Sequence, residues 1–354
     1  MRALILCAGK GTRLRPITHS FPKHLIPILN KPVVQYGVES CIVNGIKEIA
    51  FIVNSDYEQF YEIFGDGKDF GSEFTYIVQK RPRGLGDAIL SGRDFIGDHD
   101  FIVFLGDNFL KEGFSDLKDN FQKEHPDAAL FLTGVDNPQA FGIASVEGGR
   151  VIKVEEKPKN PASNLAIVGA YFFKPSIFKV IETLEPSKRG EIEITDAIQK
   201  LIESGARILP QLVGGWWRDT GNAVDIIDTN LMMLDEMDDS RNGIIDENSE
   251  IRGRVVVKEG ARIVSSSLRG PILVGKNAVV ENSFIGPYTV LGRETKLINS
   301  EIEHSVVMAG SKIQDVEGRI ESSLIGHHVE IRRKKVKPEI HQFIIGDNSQ
   351  IILR

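Results

Sequence analysis

The chain has 354 residues, with 43 Lys+Arg against 49 Asp+Glu, a formal net charge of -6, 41% apolar residues and 26% charged residues. At roughly 100–250 residues per domain, that length implies two domains; the composition excludes a disordered or fibrous chain, and the acidic balance gives no general attraction for nucleic acid or an anionic membrane. Only Cys7 and Cys41 occur, no apolar run approaches the roughly 18 residues of a membrane span, and the N-terminus lacks a secretory-signal pattern, so a soluble, cytoplasmic protein is expected.

In chain order, short β-branched runs alternate with amphipathic stretches up to about residue 235. Ala3 to Leu6, Glu48 to Val53, Phe74 to Val78, Phe101 to Leu105 and Ala128 to Thr133 read as strands buried on both faces. Asn30 is a candidate N-cap for a first helix with Pro32 in its opening turn and an end before Gly45. Strand, helix, strand in repetition predicts βαβ units and a Rossmann-like, open, mostly parallel sheet, with ligands at the carboxyl ends of its strands. Gly148-Gly149 between two apolar runs predicts a hairpin, and Asn222 to Met237 reads as a long helix.

After Asp238 to Glu250 no convincing helix follows. Leu273, Val279, Ile285, Leu291 and Leu297 recur at intervals of six, and the spacing resumes with Val307 and Ile313, Ile325 and Ile331, Ile345 and Ile351. That period fits the hexapeptide coils of a parallel β-helix, in which each aliphatic residue points inward. The resemblance to hexapeptide-repeat proteins implies a left-handed coil. The expected boundary puts a catalytic domain at 1–240 and the repeat domain at 241–354, the latter assembling copies of the chain and bracing the catalytic part.

The chemistry-bearing residues begin straight after the first strand. Gly9-Lys10-Gly11-Thr12-Arg13-Leu14-Arg15-Pro16 combines glycines, which let backbone N–H groups approach phosphate, with cations, and Lys23 follows nearby. It is neither a Walker A loop nor a dinucleotide fingerprint: Gly rather than Ser or Thr follows Gly-Lys, and Leu14 stands where a third glycine belongs. Asp107 emerges after a buried strand, where it suits a metal ligand or a cap. Asp219, before Thr220-Gly221, suits either a metal or the N-cap of the next helix.

The stretch through Arg13-Leu14, with Pro16, Thr18 and Pro22-Lys23, resembles the signature of sugar-1-phosphate nucleotidylyltransferases, closest to the long form of the glucose-1-phosphate thymidylyltransferases. Further family motifs follow in order: Gln79 with Gly84-Leu85-Gly86-Asp87, Leu105-Gly106-Asp107-Asn108, Glu155-Glu156-Lys157-Pro158, Val168-Gly169-Ala170-Tyr171, Gly190 to Asp196, and Trp217-Arg218-Asp219. The resemblance implies transfer of a nucleotidyl group, favoured from dTTP, to a sugar 1-phosphate, favoured as α-D-glucose 1-phosphate, with UTP the next choice. It implies Arg13 and Lys23 as the catalytic cations. Leu6, Ala8, Gly9, Gly11, Thr12, Gln79, Gly84 and Asp107 then bind the nucleotide, with Gln79 reading the base edge. Gly142, Glu156, Lys157, Val168, Gly169, Tyr171 and Trp217 take the sugar phosphate, and Asp107 with Asp219 holds Mg²⁺. The expected partners are a nucleoside triphosphate and a sugar 1-phosphate, in a homo-oligomer that binds neither nucleic acid nor membrane. Two rivals stand beside this reading: a second, acyltransferase activity using His304, His327 or His328, and a non-catalytic regulatory subunit, which would be marked by loss of Arg13, Lys23, Asp107 or Asp219. All four are present.

Overall fold

The computed structural model describes residues 1–55, 57–333 and 345–352. They form two compact units: Met1–Lys10 with Val33–Asp219, and Gly11–Pro32 with Thr220–Arg354. The chain thus leaves the first unit inside the glycine loop and returns at Val33, a division that the residue-240 boundary does not follow.

In the first unit, strands Glu73–Val78, Glu48–Val53, Arg2–Leu6 and Phe101–Leu105 lie side by side and parallel. Both faces are buried in Arg2–Leu6, Glu48–Val53 and Phe101–Leu105, as the unbroken apolar runs predict, whereas the outer strand Glu73–Val78 is only half-buried apart from Phe74, which corrects the same expectation there: it has a neighbouring strand on one side only. Leu4, Leu6, Ala50, Ile52 and Val103 belong to one apolar core, while Phe51 packs against Phe60 and Phe64 and Phe104 against Phe114. Beyond Phe101–Leu105 most pairs are antiparallel, the exception being Ile208–Leu212, which lies parallel to Ala128–Gly134. Strand Leu165–Phe173 runs antiparallel to Phe101–Leu105 and Ala128–Gly134, and Gly142–Glu147 with Arg150–Glu156 forms the expected hairpin. The sheet is therefore mixed, which corrects the mostly parallel expectation: hairpin turns such as Gly148-Gly149 return the chain directly, with no crossover helix.

The first helix also starts later than expected, at Val33, and runs to Val43. Leu29 and Asn30 have φ of 49° and 66° and turn a tight hairpin between Pro27–Ile28 and Lys31–Pro32. Positive φ at both turn residues is what a two-residue hairpin requires, so Asn30 serves a turn and not a cap.

The second unit holds helix Ala223–Leu234, capped by Asn222, whose Oδ1 accepts from the Asp225 N–H at 3.0 Å. The cap is therefore Asn222 and not Asp219. After it come three parallel sheets of short strands in which Val256, Leu273 and Val290 lie opposite one another on successive coils. This is a parallel β-helix. Its interior is lined by Val274, Val280, Ile285, Leu291, Leu297, Ile302, Val307 and Ile313. Leu273 and Val279 are thus one residue out of the inward register. Leu273 instead joins Val256, Val290 and Val306 in a second cluster with Ile227 and Leu234 of the helix. Ile345 and Ile351, exposed at 61% and 45%, lie outside the ladder.

The register makes a test. Ile285→Ala removes a fully buried side chain from the coil interior and is expected to cost about 2–5 kcal/mol in urea unfolding. Ile345→Ala, at an exposed site, should cost less than about 0.5 kcal/mol. Equal losses would overturn the assignment of inward positions.

Candidate active site

In the first unit the four parallel strands end in line, and the sequence-predicted residues follow their last positions. Leu6 closes the first strand, its C=O accepting from the Gly106 N–H at 3.0 Å, and the Cys7 N–H donates to the Ile52 C=O at 2.7 Å. Ala8 is buried there, and Gly9 is exposed just beyond. Gln79 follows Glu73–Val78, its N–H donating to the Val53 C=O at 2.9 Å. Asp107, largely buried, follows Phe101–Leu105 and Gly106. A ligand seated along this edge would have Gln79 toward one end and Asp107 toward the other.

Gln79 is held by a residue to which sequence reasoning gave no role. Its Nε2 donates to Asp87 Oδ2 at 2.9 Å, while Arg83 donates to Asp87 Oδ1 through Nη2 at 2.7 Å and Nε at 3.1 Å. The carboxylate only accepts, so it fixes which face of the amide carries nitrogen and leaves Oε1 and one N–H for a base edge. Arg83 is thereby committed to Asp87. Gly84 has φ of +102°, and a Cβ there would meet the Ile192 C=O at 2.8 Å and Glu191 Cβ at 2.9 Å. The glycine is required by the strand-like pass of Glu191-Ile192, which bonds to Arg83 and Gly86.

Asn108 joins the two halves of the site. Its Oδ1 accepts from Trp217 Nε1 at 2.6 Å and from the Gly169 N–H at 3.3 Å, and its Nδ2 donates to Asp107 Oδ1 at 3.3 Å. The antiparallel pairing of Asn108–Leu110 with Trp217–Asp219 sets Asp219 directly across from Asn108, next in sequence to Asp107. Two aspartates are thus brought together by register. No group of three or more His, Cys, Asp or Glu side chains forms a metal cage among the described residues. Two carboxylates are a donor set that suits Mg²⁺, which takes one or two carboxylates and completes its octahedron with water and substrate phosphate.

The remaining predicted residues collect beside Glu156. Gly142 pairs with Glu156 across the hairpin. Thr195 Oγ1 donates to Glu156 Oε2 at 3.2 Å, and Arg189 Nη1 donates to Glu156 Oε1 at 3.1 Å and to Glu193 Oε1 at 3.2 Å. Lys157 Nζ is farther from Glu156, at 3.9 Å. Burial raises the Glu193 carboxyl above the usual range, against the hydrogen bond from Ser187, and Glu156 adds to the rise. Burial, with a smaller contribution from Glu156, likewise raises the Tyr171 phenol. Val168 is fully buried, so only its main chain can meet a ligand. Trp217 is half-buried and meets Phe141 edge-on with ring centroids 5.5 Å apart. Arg189 and Thr195 lie within or beside a motif readable in sequence, but only the fold shows them converging on Glu156.

Arg13 and Lys23, with Gly11 and Thr12, belong to the second unit. Arg13 lies in the turn Thr12–Leu14 and is exposed, and Lys23 opens the turn Lys23–Leu25. Gly11, at φ +60°, brings the two turns together: a Cβ there would lie 3.0 Å from Lys23 Cβ and from Thr18 Cγ2, and Thr18 Oγ1 donates to the Gly11 C=O at 2.7 Å. Among the described residues, no helix is long and apolar enough to cross a membrane.

Comparison with known proteins bears on this site. The pattern of the nucleotidyl transferase family matches residues 2–236. The chain is 43% identical over 353 residues, 99% of each chain, to a glucose-1-phosphate thymidylyltransferase of Streptomyces antibioticus. It is 43% identical over the whole of both chains to the low-salt glycan biosynthesis nucleotidyltransferase Agl11 of Haloferax volcanii. Among solved structures, a Bacillus anthracis protein described as a glucose-1-phosphate thymidylyltransferase, crystallised with sucrose, superposes with a TM-score of 0.63 at 32% identity, covering 68% of this chain and 98% of that one.

The role of Asn108 is directly testable. Asn108→Leu keeps the branching and heavy-atom count but leaves the Gly169 N–H and Trp217 Nε1–H without their acceptor, and should cost about 1–3 kcal/mol for each donor that stays buried. Chemical unfolding followed by tryptophan fluorescence measures it, and wild-type stability would show that neither bond matters.

Proposed function

This chain belongs to the nucleotidyl transferase family, and we propose that it transfers the thymidylyl group of dTTP to α-D-glucose 1-phosphate, giving dTDP-glucose and pyrophosphate. The observation that carries the choice of base and sugar is the end-to-end similarity to the Streptomyces antibioticus protein. The array along the strand ends supports the chemistry.

In the reaction a phosphate oxygen of the sugar phosphate forms a bond to the α-phosphorus, the α–β bridging bond breaks, and pyrophosphate leaves with the electron pair. The second pKa of a phosphate monoester lies near 6, so the nucleophile is already largely dianionic at neutral pH and needs no base. The barrier is repulsion between anions and the charge that grows on the leaving group. Arg13 steadies the departing pyrophosphate, Lys23 neutralises the reacting phosphates, and backbone N–H groups around Gly9 to Thr12 hold the rest. Gln79, oriented by Asp87, offers one acceptor and one donor to the pyrimidine edge. Glu156 accepts from sugar hydroxyls, Lys157 pairs with the sugar phosphate, and Trp217, tied to Asn108, closes over the sugar. Asp107 and Asp219 would hold Mg²⁺, which supplies positive charge for the phosphate oxygens.

The same reading assigns the catalytic chemistry to residues 1–240 and the repeats, with a left-handed coil, to residues 241–354. Homo-oligomerisation through flat coil faces and a cytoplasmic setting go with it. The setting is supported by Cys7 and Cys41, both buried and neither in a disulfide.

Purified protein tested against all common NTPs and dNTPs with several sugar phosphates should release pyrophosphate fastest with dTTP and glucose 1-phosphate. A preference for UTP would change the assigned base, and no release with any pair would remove the activity. Asp107→Asn and Asp219→Asn should each lower kcat by about 10²-fold or more, and full activity of both without added Mg²⁺ would refute the metal assignment. Arg13→Ala should lower kcat about 10²-fold while KM for the triphosphate moves much less, because its charge is needed most as pyrophosphate departs. A steep rise in KM at constant kcat would reduce Arg13 to a binding residue.

A further inference from the structure

The segment 11–32, which carries Arg13 and Lys23, packs within the unit that contains the β-helix, and its contacts there run along its whole length. At the far end, the Leu29 N–H donates to Asn230 Oδ1 at 2.9 Å, and Asn30 Nδ2 donates to the C=O of Leu291 on a coil at 3.0 Å. Leu29 also packs into the cluster of Ile227, Leu234, Leu273 and Val290. Nearer the cations, the Phe21 ring lies against the His327 imidazole, with centroids 4.6 Å apart and planes at 56°. A Cβ on neighbouring Gly326 would sit 3.8 Å from Ile17 Cγ1, and one on Gly346 would sit 3.8 Å from Pro16 Cβ.

We propose that His327, on the turn after the coil strand Leu324–Ile325, is a positioning residue for nucleotidyl transfer, holding the cation-bearing segment in place through its ring contact with Phe21. Three features carry this. Phe21 stands two residues before Lys23, and Lys23 is packed through Gly11 and Thr18 against the turn that bears Arg13, so displacement of Phe21 is passed to both cations. The turns themselves are short 3₁₀ pieces, closed by bonds such as Leu14 N–H to Gly11 C=O at 2.9 Å and Leu25 N–H to Pro22 C=O at 3.0 Å, and pieces of this length do not hold their shape alone. His327, finally, is itself fixed. The neighbouring His328 N–H donates to the Ala309 C=O on the preceding coil at 3.1 Å. Burial, then the nearby His328 and Arg293, hold the His327 imidazole below its usual pKa, against a rise from its hydrogen bond to Ala309, so at neutral pH an uncharged ring faces Phe21. Its Nε2 is buried without a hydrogen-bond partner among the described residues, so the ring is held by packing on that side.

The inference rests on the assignment of Arg13 and Lys23 to the triphosphate, and the experiment separates the two. Full-length wild type, His327→Ala, His327→Phe and Phe21→Leu are compared by amide hydrogen exchange without substrate, by steady-state kinetics and by thermal unfolding. His327→Ala and Phe21→Leu should speed exchange at Leu14, His19, Leu25 and Ile26 by about 10-fold or more. Both should also lower kcat by about 10-fold, with a smaller change in KM for glucose 1-phosphate. His327→Phe, which keeps an aromatic face, should restore both to within about 2-fold of wild type. Unchanged exchange in this segment, unchanged kcat despite faster exchange, or failure of His327→Phe to rescue would each overturn the proposal. Should His327→Ala fail to fold, Phe21→Leu decides the same points from the other side of the contact. Absence of turnover in wild type would withdraw the nucleotidyl transfer reading, while the exchange results would still decide whether His327 orders the segment.

Discussion

Everything at the candidate site depends on one constraint: strands 2–6, 48–53, 73–78 and 101–105 keep a parallel register that brings their carboxyl ends into line. Parallel strands all release their side chains and free N–H groups at the same edge, so residues far apart in sequence arrive on one rim without any contact among themselves. Gln79 and Asp107 owe their positions to this. The antiparallel strand 165–173 extends the rim from the other direction, bringing Gly169 against Leu105 at the end of 101–105 and pairing Tyr171 with Val103 at its middle. The mixed sheet therefore serves the site: its parallel half presents strand ends, and its antiparallel half presents the middle of a strand.

Placement along the rim would be imprecise if the polar side chains were free to turn, and the structure gives each a fixed partner. Asp87 orients Gln79, Asn108 ties Trp217 to Gly169, and Arg189 with Thr195 holds Glu156. Asp87, Asn108 and Thr195 are buried, so their bonds are shielded from water and hold geometry better than surface ion pairs would, whereas Arg189 is exposed and its bond to Glu156 is of the surface kind. The acidic residues Glu156, Glu191 and Glu193 are gathered around Arg189, with Arg189 to Glu191 at 3.4 Å.

Sequence was enough to place the strands, the Gly148-Gly149 hairpin and the order of the motifs, because each depends on local pattern: apolar continuity, paired glycines, residue spacing. It failed where tertiary packing chose between two local options. Asn30 satisfies the composition of a cap, but the Pro27-to-Pro32 hairpin needs two positive φ values and takes it for a turn. Leu273 stands six residues before Val279 and twelve before Ile285 in a regular series, yet the coil has neighbours Ile272 and Val274 inside and turns Leu273 toward Ile227 and Leu234. Hydrophobic period alone cannot distinguish the inner face of a coil from an outer face that a helix covers. The roles of Asp87, Asn108 and Arg189 were illegible for a different reason, since nothing local marks a residue whose function is to hold another.

The division of the chain into units sets a second constraint on the cations. It falls between Lys10 and Gly11, between Pro32 and Val33, and between Asp219 and Thr220, so two of the three crossings adjoin predicted site residues. Arg13 stands seven residues beyond Leu6, the last residue of the first strand, so the strand register fixes neither its position nor its direction. Direction must come from contacts of segment 11–32 itself, and those given by the fold are with helix 223–234 and the coils. A β-helix is suited to supply them, because each coil is bonded to the next through three parallel ladders and shifts little as a unit. Holding a short, otherwise marginal loop by packing is thus a task that a stiff solenoid can perform with aliphatic coils and a few polar side chains.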